Sequence, residues 1–144
     1  YRAALERHVR ALGLEERVRF AGMVAPEEVV DYYRLGDVFV SASTSETQGL
    51  TYLEALAAGV PALCRRDPCL TGVVVDGING WQFQDGAGFR TGIARLLKDP
   101  QLREEMSRAA AELAARDFSA QTFARRMASI YQQALGAPRP RAAA

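Results

Sequence analysis

The sequence has little of several residue types on which particular classes of protein depend. Only two of its 144 residues are cysteines, Cys64 and Cys69, and only one is a histidine, His8. Two cysteines are too few for a disulfide scaffold, and the spacing of these three residues matches no zinc-binding pattern. We therefore expect no metal site, and we expect Cys64 to pack in the core.

The sequence also lacks a strong net charge and a long apolar run. Its 18 Lys and Arg residues nearly balance 17 Asp and Glu residues, so no general field draws the chain to nucleic acid or to an anionic membrane. The apolar runs at 38–40 and 73–75 are far shorter than the roughly 20 residues of a membrane-spanning helix. No signal peptide is recognisable. We therefore expect a cytoplasmic protein without a nucleic-acid partner.

No methionine precedes Tyr1, and the opening residues read as the middle of a helix. We therefore expect the chain to be a piece of a longer protein. Its composition, 49% hydrophobic and 24% charged, is ordinary for a globular domain with a real core. The domain should cover residues 1–135, and the Pro- and Ala-rich stretch 136–144 should be a frayed tail.

Short apolar runs alternate with helical patterns along the chain. Strands are predicted at 17–21, 37–41, 60–64 and 81–83. Helices are predicted at 1–12, 25–33, 50–58, 89–97, 100–115 and 119–135, the last with Ser119 as its N-cap. This alternation predicts an α/β fold with a doubly wound parallel sheet. The sheet should be incomplete, with about four strands, helices on both faces and helices at the C-terminus.

The segment 41–59 should form the functional site, because it reads as the end of a strand, a polar loop and the start of a helix. In an open parallel sheet, ligands bind outside the carboxyl ends of the strands. The loops 22–25 and 65–72 should emerge at the same edge. Three loops are therefore expected to line one crevice.

The helix start in this segment could bind an anion. Gly49 has no Cβ, so a phosphate could approach the N–H groups of Gly49, Leu50 and Thr51 at the positive end of the helix dipole. The residues leave an alternative open, in which Ser45 or Thr47 caps the helix.

Two carboxylates flank this helix start. Glu54 could accept hydrogen bonds from ribose hydroxyls, or it could be a surface residue that compensates the helix dipole. Glu46 could accept hydroxyls of a sugar or face positive charge that develops at an anomeric carbon. Glycoside hydrolysis is a minor interpretation, because it needs two carboxylates flanking one bond and Glu54 lies within a helix.

Other residues near the crevice have equally open interpretations. Met23 and Val24 could enclose a planar base or could be core residues. Arg65 and Arg66 could neutralise a diphosphate or could be solvated. Asp76 and Asn79 should serve turns. The aromatic residues are interpreted as packing residues: Tyr32, Tyr33, Phe39 and Trp81.

Four motifs resemble the C-terminal domain of family 4 (group 1) retaining glycosyltransferases with the GT-B fold, and the resemblance covers nearly all of the first 117 residues. They are Val18-x-Phe20-x-Gly22, Tyr33-x-x-Gly-Asp37-Val-Phe-Val, Ser45-Glu46-Thr47-x-Gly49-Leu50-x-x-x-Glu54-Ala55-x-Ala57-x-Gly59-Val-Pro61 and Asp76-Gly-x-Asn79-Gly80. The pair of glutamates before Ala-x-Ala-x-Gly-x-Pro is the most specific of these signals.

The resemblance implies a role for each matching position. Glu54 would hold the ribose of a nucleotide-sugar donor, and Glu46 would lie against the donor sugar. The N–H groups of the segment 49–51 would hold the diphosphate, and Met23 and Val24 would border the base. The sugar would be transferred with retention at the anomeric carbon, without a metal ion or any cofactor besides the donor.

The chain also departs from the family pattern. The loop 65–72 stands where the family often has a Gly-Gly pair and Pro-Glu, and in this respect the chain is similar to bacterial enzymes that glucosylate diacylglycerol. The acceptor could then be a glycolipid or a polysaccharide precursor, and the full-length enzyme could associate peripherally with a membrane. The acceptor-binding N-terminal domain and an upstream basic diphosphate-binding segment are not in this sequence.

Two expectations follow for the isolated chain, and two alternative functions stay open. It should be catalytically inactive, and it should self-associate through a bare edge of the sheet. A noncatalytic nucleotide-binding or interaction module is the alternative from a different class of function. A nucleotide-sugar epimerase or a phosphorylase on the same fold is a third interpretation.

Overall fold

A computed structural model describes residues 1–136, so the predicted tail lies outside the described residues from position 137 onward. The helices are α1 Arg2–Ala11, α2 Val29–Arg34, α3 Leu50–Ala57, α4 Gly86–Lys98, α5 Pro100–Phe118 and α6 Ala120–Gly136. The strands are β1 Phe39–Ser41, β2 Ala62–Arg65 and β3 Gly80–Phe83. Two 3₁₀ turns, Pro26–Glu28 and Pro68–Leu70, precede α2 and follow β2.

The three strands form one parallel sheet in the order β1-β2-β3. Phe39 of β1 lies opposite Ala62 of β2, which in turn lies opposite Gly80 of β3. Parallel strands need crossover connections, and α3 makes the connection from β1 to β2. The predicted α/β class and parallel sheet are confirmed, with three strands where about four were predicted.

The strand predicted at 17–21 is wrong. Residues 18–25 are irregular, and they follow a turn that Leu14 begins by accepting from the N–H groups of Arg17 and Val18. The side chain of Phe20 instead lies against α1, where the guanidinium of Arg2 stands 5.6 Å from its ring centre. An extended segment becomes a strand only by pairing, and no strand among residues 1–136 pairs with this one.

The side chains of β2 alternate between two cores. Ala62 and Cys64 face a cluster with Tyr52 of α3 and Ala110 of α5. Leu63 points to the opposite face of the sheet, into a cluster with α4 residues. All three strand residues are fully buried. Helices therefore cover both faces of the sheet, as the alternation of strands and helices predicted, and Cys64 is a core residue as expected.

The C-terminal helices begin at side-chain caps. Asp99 accepts from the N–H of Leu102 at 3.0 Å and is followed by a proline at the first helical position, where no N–H is needed. Ser119 accepts from the N–H of Thr122 at 3.2 Å, which confirms its predicted capping role for α6.

Residues 73–80 form a turn that fixes the start of β3. The buried amide of Asn79 accepts from the N–H of Val75 at 2.8 Å and donates to the carbonyl of Val73 at 2.9 Å. Asp76 accepts from the N–H of Gln82 at 2.6 Å. Both side chains serve the turn, as predicted. Within the described 1–136, every helix is too short or too polar to span a membrane.

Candidate functional site

The loops after β1 and β2 meet at the carboxyl end of the sheet. A Cβ added to Gly49 would lie 3.0 Å from Leu70, so the 3₁₀ turn after β2 packs directly against the start of α3. The hydroxyl of Tyr52 donates to the Oγ of Ser41 at 2.8 Å and ties the first turns of α3 to the end of β1. The two loops therefore form one wall, at the edge where parallel sheets bind ligands.

The start of α3 carries no side-chain cap. Gly49 is the N-cap residue with φ 62° and ψ 33°, and no side chain among the described residues accepts from the helix there. A cap by Ser45 or Thr47, the alternative left open by the sequence, is therefore wrong. The left-handed conformation at Gly49 is one that residues with a Cβ adopt at a cost.

The first N–H groups of α3 have no acceptor in the described part of the chain. The first backbone hydrogen bond of α3 is from Tyr52 to the carbonyl of Gly49, at 3.0 Å. The N–H groups of Gly49, Leu50 and Thr51 precede it, so they point out of the helix along its axis. Leu50 and Thr51 are exposed, whereas Gly49 is buried against Leu70. The arrangement offers several N–H donors at the positive end of a helix dipole.

Glu54 is exposed on α3, and its carboxylate has one partner from another helix. The hydroxyl of Tyr33, on α2, donates to Glu54 Oε2 at 3.0 Å. Burial, together with this hydrogen bond and the carboxylate charge, raises the pKa of Tyr33 to about 12. Tyr33 therefore keeps its proton at neutral pH and acts as a donor toward Glu54.

Of the two residues predicted to border a base, only Val24 is half-buried. It lines a cavity of about 410 Å³ together with Gly22, Val29, Tyr32 and Tyr33. Met23 is fully exposed and is not among the residues that line this cavity. Val24 and Glu54 are thus linked through Tyr33, and Met23 has to move if it is to contact a ligand in this cavity.

Glu46 lies beside the 3₁₀ turn after β2. Asp67 begins this turn and accepts from the N–H of Cys69 at 2.9 Å. That backbone donor, with a smaller contribution from the backbone of Glu46, lowers the pKa of Asp67. Desolvation and the charges of Asp67 and Glu46 raise the pKa of Cys69. Glu46 therefore lies close to the turn that Asp67 begins.

The two arginines after β2 are not equivalent. Arg66 lies 3.5 Å from Asp76, and its backbone N–H donates to the carbonyl of Phe83 at 2.8 Å. It is thereby directed toward β3 and away from Gly49. Arg65 ends β2 and is exposed. The candidate site thus offers backbone N–H groups to an anion, whereas the side chain of Arg66 is paired with Asp76.

This geometry can be compared with known proteins. A sequence model of the family described as "Glycosyl transferases group 1" matches residues 1–113. The chain belongs to this family. The matched residues include every residue of the candidate site described above.

Two groups of relatives have similar degrees of identity. The chain is 35% identical over 133 residues to an alpha-monoglucosyldiacylglycerol synthase of Streptococcus pneumoniae, which covers 91% of the chain and 29% of the relative. It is also 35% identical over 139 residues to a D-inositol 3-phosphate glycosyltransferase of Streptomyces avermitilis, which covers 95% of the chain and 30% of the relative. The chain thus spans about three tenths of the length of these curated relatives.

Solved structures support the same fold. Sucrose-phosphate synthase from Thermosynechococcus elongatus superposes with a TM-score of 0.83 at 28% identity, covering 95% of this chain and 35% of that one. HepE from Anabaena, solved in complex with UDP, superposes with a TM-score of 0.84 at 24% identity, covering 92% of this chain and 37% of that one. The chain therefore has the fold of part of each of these larger proteins.

The roles of two residues near the site were not predicted from the sequence. Tyr33 was interpreted as a packing residue, although a half-buried tyrosine hydroxyl needs a hydrogen-bond partner, and here the partner is Glu54. Asp67 was placed in a featureless loop. Its position before Pro68 is a helix-start signal that could have located the 3₁₀ turn.

Proposed function

We propose that the chain is most of the donor-binding domain of a retaining glycosyltransferase, and that the full-length protein transfers a sugar from a nucleoside-diphosphate sugar to an acceptor. One observation carries the proposal. In a group 1 chain, α3 begins at a left-handed glycine with no side-chain cap among the described residues, and its first N–H groups have no acceptor there. A diphosphate suits such a helix start, since it offers acceptors to the N–H groups and negative charge to the dipole.

Each part of the donor has a proposed partner. The N–H groups of Gly49, Leu50 and Thr51 hold the diphosphate, and Glu54 accepts from ribose hydroxyls. Val24 and Met23 border the base, Val24 from the wall of the cavity beside Tyr33. HepE, which has the same fold, has been solved with UDP-glucose, so the fold holds such a donor in that protein.

The reaction breaks the bond between the anomeric carbon and the diphosphate oxygen, and the nucleoside diphosphate leaves with the electron pair. The acceptor oxygen bonds to the anomeric carbon on the same face, and its proton passes to the diphosphate oxygen that leaves. The N–H groups at the start of α3 stabilise the charge that develops on the leaving diphosphate. Glu46 is the proposed catalytic carboxylate, since it faces the positive charge that develops on the sugar. No metal ion or further cofactor enters this proposal.

The acceptor is bound by a domain outside this chain. The two relatives named above have equal identity to the chain, yet their names specify different acceptors, a diacylglycerol and an inositol phosphate. Similarity within this domain therefore does not select the acceptor. A glycolipid or polysaccharide precursor as acceptor, peripheral membrane association and a cytoplasmic location are parts of the proposal that the full-length protein would have to show.

The proposal is tested by nucleotide binding in the full-length protein. Thermal unfolding is measured with UDP, GDP, ADP and their sugars, because a ligand that binds the native state raises the midpoint. We expect one base to stabilise the protein more than the others. Glu54→Gln should weaken binding of that nucleoside diphosphate about 10-fold or more, since a hydrogen bond to a charged group contributes about 1.5–3 kcal/mol.

Matched variants separate the two carboxylates. Glu46→Gln should leave binding of the sugar-free nucleotide intact and lower the rate of sugar transfer. Glu112→Gln, an exposed position on α5, should change neither quantity. Unchanged nucleotide affinity in Glu54→Gln would contradict the ribose role, and binding without transfer to any acceptor would favour a noncatalytic module.

Self-association of the isolated chain is also part of the proposal. The outer edge of β1 pairs with no strand in the described part of the chain, and Val40 on this strand is 45% exposed. A bare strand edge can pair with another chain. A monomeric mass of the isolated chain in solution would contradict this expectation.

A further inference from the structure

The hydrogen bond between Tyr33 and Glu54 joins α2 to α3, and the two residues belong to different sequence motifs. Tyr33 lies on α2, 21 positions before Glu54, and its hydroxyl donates to Oε2 at 3.0 Å. Glu54 is exposed, and no other side chain in the described part of the protein donates to its carboxylate. Tyr33 is therefore the side chain that restrains the Glu54 carboxylate.

Tyr33 is itself held in place by a series of aromatic contacts. Its ring packs edge-on against Phe39 of β1 at 5.7 Å, and Phe39 packs edge-on against Tyr52 of α3 at 5.3 Å. Tyr52 in turn donates to Ser41 at the carboxyl end of β1. Edge-to-face pairs of this kind fix ring orientation as well as burying area. The hydroxyl of Tyr33 is thus presented from a fixed position in the fold.

We propose that Tyr33 is a positioning residue for nucleotide recognition, which holds Oε2 of Glu54 so that Oε1 is presented to a ribose hydroxyl. The inference rests on the proposed function, because it requires that Glu54 contact a ribose. Its physical basis is the cost of ordering a flexible, exposed glutamate when a ligand binds. Tyr33 meets part of that cost before the ligand arrives, and a protonated phenol can do so throughout the neutral range.

The effect of Tyr33 should be confined to ligands that carry the ribose hydroxyls. Immobilising one rotamer-rich side chain changes an equilibrium constant by about threefold to tenfold. Tyr33→Phe keeps the ring and its contacts but removes the O–H, so it should weaken binding of a ribonucleotide by this factor. Binding of a nucleotide without the two hydroxyls should be unchanged.

The test uses UDP and 2′,3′-dideoxy-UDP on the full-length protein, with the corresponding GDP and ADP pairs in parallel. The quantity compared is the dissociation constant of the dideoxy nucleotide divided by that of the ribonucleotide. This ratio isolates the contribution of the hydroxyls to binding. In Tyr33→Phe this ratio should fall about threefold to tenfold. In Glu54→Gln it should fall further, and adding Tyr33→Phe to that variant should have no additional effect.

Tyr32 provides the matched control. It precedes Tyr33 on α2 and lines the same cavity, and its hydroxyl has no partner among the described residues. Tyr32→Phe should therefore leave the ratio at its wild-type value. If Tyr33 served in packing alone, Tyr33→Phe would instead weaken the binding of both nucleotides of a pair by the same factor.

The outcomes separate the two proposals. If none of UDP, GDP and ADP binds the wild-type protein, the proposed function fails and this inference falls with it. In a second outcome, a nucleotide binds and Glu54→Gln lowers the ratio, but Tyr33→Phe leaves the ratio unchanged or weakens the binding of both nucleotides by the same factor. This outcome refutes the positioning role of Tyr33 and leaves the proposed function standing.

Discussion

Three helices that surround the sheet begin in two different ways. At the start of α4, Asp85 accepts from the N–H of Gly88 at 2.8 Å, and at the start of α5, Asp99 accepts from the N–H of Leu102 at 3.0 Å. At the start of α3, Gly49 stands at the N-cap with φ 62° and provides no side-chain acceptor. The protein thus supplies its own carboxylate at two helix starts and none at the third.

This difference separates stability from binding. A side-chain cap contributes about 1 kcal/mol, and an anionic cap also interacts favourably with the helix dipole. The start of α3 forgoes that contribution, and its N–H groups remain accessible to an external anion. The comparison therefore predicts that substitutions at α3 change nucleotide binding, whereas substitutions at the caps of α4 and α5 change stability alone.

Gly49→Ala should have the largest effect. An alanine in the left-handed region costs about 1–3 kcal/mol, and its Cβ would lie 3.0 Å from Leu70. The helix start then shifts, and loss of one charge-assisted hydrogen bond to the diphosphate weakens binding about 10- to 100-fold. Both effects are measured on the full-length protein, stability by urea unfolding and affinity by calorimetry with the nucleoside diphosphate.

Gly13 is the control for backbone strain. It has nearly the same φ, 64°, and nothing lies within 4 Å of an added Cβ. Gly13→Ala should lower stability by a similar strain term and leave nucleotide affinity unchanged. If Gly49→Ala lowered stability and nucleotide affinity only as much as Gly13→Ala does, the start of α3 would be an ordinary turn. The contrast between this helix start and those of α4 and α5 would then not hold.

Much of the fold could be predicted because its signals are local. β1, β2 and β3 lie within two residues of the predicted boundaries, since a short apolar run between polar turns is visible in the sequence itself. The segment 17–21 alternates polar and apolar residues as many strands do, but it has no ladder partner among the described residues, so it is not a strand. Pairing is a property of two segments, and a single segment does not reveal it.

The site divides in the same way. The helix start at Gly49 could be predicted from a polar loop, a glycine and a following helix, which are neighbours in sequence, whereas the absence of a cap by Ser45 or Thr47 could not. The bond from Tyr33 to Glu54 could not, because it depends on how α2 packs beside α3 across 21 positions. The exposure of Met23 could not be predicted either. Val24 lines the cavity and Met23 does not, and the sequence alone does not show which of these two neighbours faces the cavity.

A buried cysteine in the core makes the stability of the protein depend on pH. Burial raises the pKa of Cys64 from 9.0 to about 12. Between these values the unfolded chain releases the thiol proton and the native protein keeps it, so stability falls as pH rises. Relative to pH 8, the loss should approach about 2 kcal/mol near pH 10.5, since one pH unit corresponds to about 1.4 kcal/mol.

Cys64→Ala tests this assignment by removing the titrating group. Its stability at pH 8 should be lower because a buried side chain is truncated, but its decline between pH 8 and 10.5 should be shallower than that of the wild type. The raised pKa of Tyr33 acts in the same direction, so some decline should remain. Parallel curves for the two proteins would show that Cys64 does not titrate as described.

The caps of α4 and α5 should give the smallest effect, and they complete the comparison. Asp85→Ala or Asp99→Ala leaves a helix N–H without its acceptor and should lower the free energy of unfolding by about 0.5–2 kcal/mol. Asparagine caps about as well as aspartate, so Asp85→Asn should retain most of the stability that Asp85→Ala loses. Nucleotide affinity should be the same in all three variants, because neither cap belongs to the wall formed by α3 and the turn Pro68–Leu70. A loss of affinity in Asp85→Ala that Asp85→Asn restores would place the start of α4 in the binding site as well, and the division between stabilising and binding helix starts would no longer hold.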